Sequence, residues 1–390
     1  MAGLQVLDVP AGPEVLDAVL PGLALALDGG PALLPVPPAP DPRRAAVLAA
    51  LRPDVPAEVD DVAIVLPTGG STGEPKGALL TRQALTAAAV RQDERLGGPG
   101  LWVLALPAWH AGGLQVLVRA TAGGIRPLAL DLAVSFAAGA FGVATREGRA
   151  RADAEGVPLY VSLVPTQLGR LTAADLLPYD GVLVGSAAAG PGVLDGLRRE
   201  GVRLLESYGM SETCGGYAYD GTPIRDVDVL LRGGDDRITI AGPTLFSGYR
   251  LRPDLTAESL VDGRLVTQDV GRLVDGRLEL VSRADDIIVT GGEKVAPASV
   301  VGALLGCVGV REAVVLGRPD AEWGQAVVAY VVPDDPSSPP DVDVLRAQAL
   351  AALGRAGVPR RIHVLTALPT QPSGKVDRAA LESLDPPIAP

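Results

Sequence analysis

Residues 67–77 read PTGGSTGEPKG, in which four glycines and the hydroxyl residues Thr68, Ser71 and Thr72 surround a single cation, Lys76. Glycines at this density let backbone N–H groups converge on an anion with no Cβ in the way, and phosphate is the usual anion. The stretch is not the nucleoside-triphosphatase loop, which needs GK followed by Ser or Thr, because Lys76 is followed by Gly77. Taken alone it leaves a solvated Gly/Ser turn open. The lysines narrow the choice. Of 34 basic residues only Lys76, Lys294 and Lys375 are lysine, each beside or within a glycine-containing turn: EPKG, GGEKV, PSGKVD. A compact ammonium on a flexible stem does what a planar guanidinium fork cannot. Histidine is scarcer still. His363 lies in the strand-like RRIHVLT and reads as packing, whereas His110 in LPAWHAGGLQ ends a strand-like run and precedes a helix-like one. Ligands of α/β sheets bind at such strand ends.

The elements that must position these residues follow from periodicity. DVAIVLP reads as a buried strand leading into the glycine-rich loop, and TRQALTAAAVRQDERLG as the helix after it. LWVLALP, IRPLAL, LYVSLVP, GVLVGSAAA and VRLLESYG read as further short strands, with helix-like stretches between them. This alternation predicts α/β architecture: mostly parallel sheets covered by helices. Residues 227–290 carry DG and GG turns between alternating strands, which predicts hairpins in a β-barrel-like region. After residue 285 a smaller α+β unit is expected, with a helix near 296–305, strands EAVVLG and AVVAYVV, and an exposed PDDPSSPPDVD loop.

Composition sets the outer bounds. A chain of 390 residues with 47% hydrophobic residues and mean hydropathy +0.27 can build cores for two domains. No charged leader followed by an apolar core opens it and no apolar run approaches about 18 residues, so a cytoplasmic protein without membrane insertion is expected. Two cysteines, Cys214 and Cys307, make neither a disulfide framework nor a zinc cluster. A net charge of −12 disfavours nucleic acid as a partner and requires a locally positive pocket for any anionic substrate.

Five motifs, PTGGSTGEPKG, ESYGMSET (206–213), LVTQDVGR (265–272), SRADDIIVTGGEKVAP (282–297) and PTQPSGKVDR (369–378), stand in the order of the adenylate-forming acyl-CoA synthetase superfamily, which the chain resembles from about residue 60 onward. The resemblance implies a large N-terminal domain, residues 1–284, and a small mobile C-terminal domain, residues 285–390. It also implies a two-step reaction in which a carboxylate attacks the α-phosphate of ATP and CoA then displaces AMP. Thr68, Gly69, Gly70, Ser71, Thr72, Gly73 and Lys76 would cradle the departing phosphates. Ser207, Tyr208, Gly209 and Ser211 would line the nucleotide site. Glu212 matches the Mg²⁺ ligand, Asp269 and Arg283 the ribose pair, and Lys375 the catalytic lysine that bridges carboxylate and α-phosphate. Asp285 matches the hinge, with Asp286 an alternative one residue on, and Gly292 and Lys294 the CoA tunnel. Catalysis by charge neutralisation and alignment needs no protein nucleophile, in keeping with the lack of a serine–base signature. Three positions depart from the family pattern: Gly69 for a usual serine, Ser211 for threonine, and Gln268 for glycine.

The 66 residues ahead of the loop are few for this superfamily, and LPAWHAGGLQVLVRA and YGMSETCGG resemble segments of the o-succinylbenzoate–CoA ligases of menaquinone biosynthesis. That likeness implies an acyl site at His110, Gly185, Ser186, Ala187, Gly209 and Met210. The second carboxylate of such a substrate would need a donor: His110, main-chain amides near 185–189 and 207–210, or an arginine that the sequence does not place. An aryl- or fatty-acyl-CoA synthetase of other specificity and a nucleotide-binding regulator without catalysis remain as alternatives. A homodimer is common in the family.

Overall fold

The computed structural model describes residues 3–69, 75–134, 136–186, 192–370 and 376–385. Strands β1 (Gln5–Asp8), β2 (Leu33–Val36), β3 (Val62–Gly69) and β4 (Pro75–Thr81) form one sheet in that order, parallel except for the antiparallel β3–β4 pair. The ends of β3 and β4 that flank the glycine-rich residues therefore pair antiparallel, with Thr68 opposite Lys76 and Gly69 opposite Pro75. The helix starts where the sequence places it, at Arg82 with Thr81 capping it by accepting from the Ala84 N–H at 3.1 Å, but the unexpected strand β4 stands between loop and helix. The cause is the run Ala78–Leu79–Leu80, which is buried and packs as a strand. The first 60 residues, unassigned by motif, supply β1 and β2.

The second sheet joins β5 (Leu101–Leu104), β6 (Leu128–Ala129), β7 (Leu159–Leu163), β8 (Gly181–Val184), β9 (Leu204–Met210), β10 (Gly215–Tyr219) and β11 (Thr222–Pro223) in the order β11-β10-β9-β8-β7-β5-β6. Its five strands from β9 to β6 are parallel, as the alternating sequence predicts, and β10 and β11 add antiparallel edges. β5 and β8 are buried along their whole length, as strands covered on both faces must be.

A third sheet comprises β12 (Asp228–Leu231), β13 (Arg237–Ala241), β14 (Leu260–Val261), β15 (Arg264–Val274) and β16 (Arg277–Arg283), ordered β12-β13-β15-β14 with β16 on β15. Its two-residue turns Asp262–Gly263 and Asp275–Gly276 have φ of 50°/73° and 51°/76°, the left-handed pair that twists with a hairpin. The fourth sheet holds β17 (Ile288–Thr290), β18 (Glu293–Val295), β19 (Val310–Asp320), β20 (Gly324–Pro333) and β21 (Arg361–Val364), ordered β18-β17-β20-β19 with β21 on β20. Helices Pro297–Leu305 and Val342–Leu353 supply Val300, Leu304 and Leu345 to its core.

Two compact units result: Met1–Ala188, Leu194–Leu230 and Thr239–Val266 in the first, Ala189–Val193, Leu231–Ile238 and Thr267–Pro390 in the second. No helix among the described residues is long and apolar enough to cross a membrane.

Two buried arginines fix the first unit. Arg250, 1% exposed, donates to the carbonyls of Leu51, Arg52, Val55 and Pro56 and to the Glu58 carboxylate at 3.0 Å. It staples the 51–58 loop beneath β4. Arg119, 4% exposed, lies with its guanidinium 4.1 Å over the Trp102 ring and donates to Gln92 Oε1 at 2.7 Å. Gln92 in turn donates to the carbonyls of Cys214 and Gly216, and the Tyr219 hydroxyl hydrogen-bonds both Arg119 and Ser207. The turn after β9 is thus held from below. Burial lowers the pKa of Arg119, and burial raises that of neighbouring Asp93 to about 6 despite the guanidinium's opposing pull.

Removing the Arg250 side chain leaves four carbonyls and a carboxylate without their donor, so Arg250→Ala is expected to cost about 3–5 kcal/mol in urea unfolding. A loss under about 1 kcal/mol would mean that water replaces the guanidinium. Asp93 binds its proton more tightly folded than unfolded, so its contribution is fully present below about pH 4 and is lost as pH rises through about 6. Asp93→Asn should match the wild type near pH 4 and exceed it by on the order of 2–3 kcal/mol at pH 7.5. A constant offset across that range would exclude the titration.

Candidate active site

Strands β4 and β9 and the irregular segment 247–250 of the first unit converge on Glu212. β4 pairs with β3 on one side and with the segment 247–250 on the other, through Leu79 N–H to Gly248 O at 2.9 Å, Ser247 N–H to Leu79 O at 2.9 Å and Arg250 N–H to Gly77 O at 2.8 Å. The same segment reaches the turn after β9, since the Phe246 N–H donates to the Glu212 carbonyl at 2.8 Å. Tyr249 joins the two. Its hydroxyl donates to Glu212 Oε1 at 2.7 Å, and Lys76 Nζ lies 5.6 Å from its ring centroid. Burial first, and the Glu212 charge second, push the Tyr249 pKa up, so the phenol remains a donor. Sequence reading missed Tyr249, which belongs to none of the five motifs.

Glu212 sits in the 3-10 turn Ser211–Thr213, half-buried. Among the described residues no group of three or more His, Cys, Asp or Glu could hold a metal ion. A single half-buried carboxylate suits Mg²⁺ whose other ligands are phosphate oxygens and water, so the donor set fits that ion and not an all-protein cage.

Ser207, Tyr208, Gly209 and Met210 lie on β9, and Gly185 and Ser186 follow directly on β8. The two strands are parallel neighbours, so these residues share one carboxyl edge. They approach closely: a Cβ on Gly185 would lie 2.9 Å from the Ser207 carbonyl, and one on Gly209 only 2.0 Å from the Gly215 carbonyl. No side chain fits at Gly209. His110 follows β5 at the same edge of the sheet and is the N-cap residue of the helix Ala111–Gly123, half-buried, with its ring centroid 6.0 Å from that of Trp109. Gly113, on the first turns of this helix, lies against the 106–107 carbonyls, which a Cβ would meet at 2.4 Å. The chain can therefore turn sharply from β5 into the helix.

Thr68 and Gly69 end β3 and Lys76 begins the return strand. Gly70, Ser71, Thr72, Gly73, Ala187 and Lys375 lie outside the described residues.

The second unit holds Asp269 on β15 opposite Arg283 on β16. Arg283 Nη1 is 3.5 Å from Asp269 Oδ1, but it forks Asp285 more tightly, at 2.9 and 2.8 Å. These hydrogen bonds raise the Arg283 pKa; burial alone would raise Asp285, yet Arg283 outweighs it and holds that carboxyl below its ordinary range. Gly292 lies in the turn between β17 and β18 at φ 84°, and Lys294 is exposed on β18 opposite Val289. The turn Arg355–Gly357 packs against β18 and borders a cavity of about 340 Å³ lined in part by Arg346, Arg355 and Arg360. Arg360 stacks at 4.0 Å over Trp323.

Residues 13–250 match the family described as AMP-binding enzyme, and residues 300–375 match the AMP-binding enzyme C-terminal domain. The chain is 41% identical over 391 residues to a probable 2-succinylbenzoate–CoA ligase of Mycobacterium tuberculosis, covering 97% of each chain. It is 32% identical to a feruloyl-CoA synthase of Amycolatopsis, over 83% of this chain and 70% of that one. In fold it resembles the o-succinylbenzoate CoA synthetase of Bacillus subtilis solved with its acyl-adenylate intermediate, with a TM-score of 0.71 at 24% identity over 93% of this chain and 80% of that one. The first match includes the second sheet, the glycine-rich segment and the Glu212 turn, and this chain belongs to the AMP-binding enzyme family as an AMP-forming acyl-CoA synthetase.

Proposed function

We propose that the protein is an ATP-dependent 2-succinylbenzoate–CoA ligase of the cytoplasm. The line Lys76–Tyr249–Glu212 carries the adenylation chemistry, because it ties the hairpin loop to the candidate cation ligand through one rigid aromatic side chain. The choice of acid rests on the near full-length likeness to the mycobacterial ligase.

The carboxylate must approach a polyanion, so the barrier falls chiefly through charge placed in advance. Lys76 and the loop amides hold the β- and γ-phosphates. Glu212 holds Mg²⁺, which when bound neutralises phosphate charge. Asp269 accepts from the ribose hydroxyls and Arg283 orients them, and Lys375 bridges the attacking carboxylate and the α-phosphate. In the second step the domain from 285 onward turns about Asp285, and Gly292 and Lys294 border the pantetheine path. The phosphates of CoA suit the Arg346, Arg355 and Arg360 cavity beside β18. His110, with the amides after β8 and on β9, holds the spare carboxylate of the substrate. Arg119, a buried positive charge behind the 214–216 turn, supports that anion through its field.

ATP–pyrophosphate exchange driven by 2-succinylbenzoate, benzoate, ferulate and a medium-chain fatty acid tests this reading. Exchange should be fastest with 2-succinylbenzoate, and His110→Ala should lower its kcat/KM at least about tenfold, the scale of one charge-assisted hydrogen bond of about 1.5–3 kcal/mol. The KM for ATP should change less than about twofold. Preference for benzoate or the fatty acid would replace the assignment with another acyl-CoA synthetase; no exchange with any acid would favour the regulatory alternative.

A further inference from the structure

The residues flanking 371–375 are pinned to each other. Thr370 faces Val376 as an antiparallel bridge, and the Asp377 N–H donates to the Pro369 carbonyl at 2.8 Å. Asp377 then caps the helix Arg378–Leu384, accepting from the Ala380 N–H at 3.1 Å. That helix is held at both ends, by different means. At its far end Asp385, 4% exposed, forms an ion pair with Arg361 at 3.1 Å and pairs with His363 Nε2 at 3.0 Å, while Arg318 donates to the Glu382 and Asp385 carbonyls at 3.2 and 3.0 Å. This buried cluster fastens the helix to β19 and β21. At its near end Arg378 forks Asp286, Nη1 to Oδ1 and Nη2 to Oδ2, the latter at 2.7 Å.

The near-end pair differs in kind from the buried cluster. The Arg378 side chain is 53% exposed and that of Asp286 18%, so the pair adds little to stability. What a bidentate guanidinium–carboxylate pair does supply is a fixed relative orientation. It joins two motifs that the sequence keeps 92 positions apart: Asp286 follows the hinge candidate Asp285, and Arg378 stands three positions after Lys375. It also lies wholly on the C-terminal side of Asp285, whereas the Arg283–Asp285 fork spans that residue. A rotation at 285 would disturb the second pair and carry the first unchanged.

We infer that Asp286 and Arg378 are positioning residues for adenylate formation. Their ion pair ties the base of the 371–375 segment to the pivot, so that Lys375 reaches the α-phosphate in a fixed relation to the turning of its domain. The inference rests on the roles given above to Lys375 and Asp285.

Asp286→Asn, Arg378→Gln and the double variant are compared in ATP–pyrophosphate exchange and in thioester formation from supplied acyl-adenylate and CoA. Each single variant should lose at least about tenfold in the adenylation kcat with a KM for ATP within about twofold, and the double variant should lose no more than either single. Thioester formation should stay within about twofold, and Arg378→Lys, which keeps the charge without the fork, should recover part of the loss. Equal losses in both half-reactions, additive losses in the double variant, or unchanged adenylation would each overturn the inference. If a variant melts early, Arg378→Lys in the same two assays decides the question. Lys375→Ala is run alongside: intact adenylation in that variant would overturn the reading of Lys375 itself, a failure distinct from that of the ion pair.

Discussion

The pairing of β4 with residues 247–250 is the constraint on which the candidate site depends. Three backbone hydrogen bonds of 2.8–2.9 Å place a segment far along the chain against the return strand of the glycine-rich hairpin. Without them Lys76 and Glu212 would sit on separate loops, with no fixed distance between them. With them, Tyr249 is directed at both, and Arg250, next in sequence, turns the other way into a cage of carbonyls. The bridge residue Tyr249 thus serves the site while its neighbour Arg250 serves the core, so the stability of the first unit and the geometry of its site share one short segment.

How much of this was legible in the sequence depended on whether the information was local. The parallel strands of the second sheet were readable because each is a short apolar run bounded by turn residues, and the DG hairpins because their φ > 0 turns restrict the residue types. β4 was not, since the run ALL between the loop motif and the helix is too short to show a period of its own; only burial against β3 and 247–250 decides it. Arg119 and Arg250 were invisible for a different reason, and Arg378, though it closes the PTQPSGKVDR motif, showed no partner. In a chain where arginine fills nearly every basic position, the residue type carries no signal, and their partners lie far away in sequence.

That excess of arginine divides the cations by task. Arg250, Arg283 and Arg378 each hold a carboxylate, and Arg119 is held over an indole. A planar fork suits fixed geometry. Lys76, by contrast, reaches past an aromatic ring from a strand end, and Lys294 stands exposed on β18. A flexible ammonium suits a partner that arrives and leaves.

The same division explains how a chain of net charge −12 accommodates a polyanionic substrate. Bulk repulsion is screened beyond about 10 Å at moderate salt, so affinity is decided by the few charges at the site. In the second unit two acidic residues neutralise structural arginines: Asp285 on Arg283 and Asp286 on Arg378. Asp285 therefore stands in two relations to the ribose candidates. It orients the Arg283 guanidinium, and it also competes with any hydroxyl for the same donors, being bound at 2.8–2.9 Å where Asp269 is at 3.5 Å. On the roles proposed for Arg283 and Asp285, a nucleotide that draws Arg283 toward Asp269 would loosen the fork to Asp285 and with it a restraint on rotation there. Nucleotide binding and hinge freedom would then be linked through a single guanidinium.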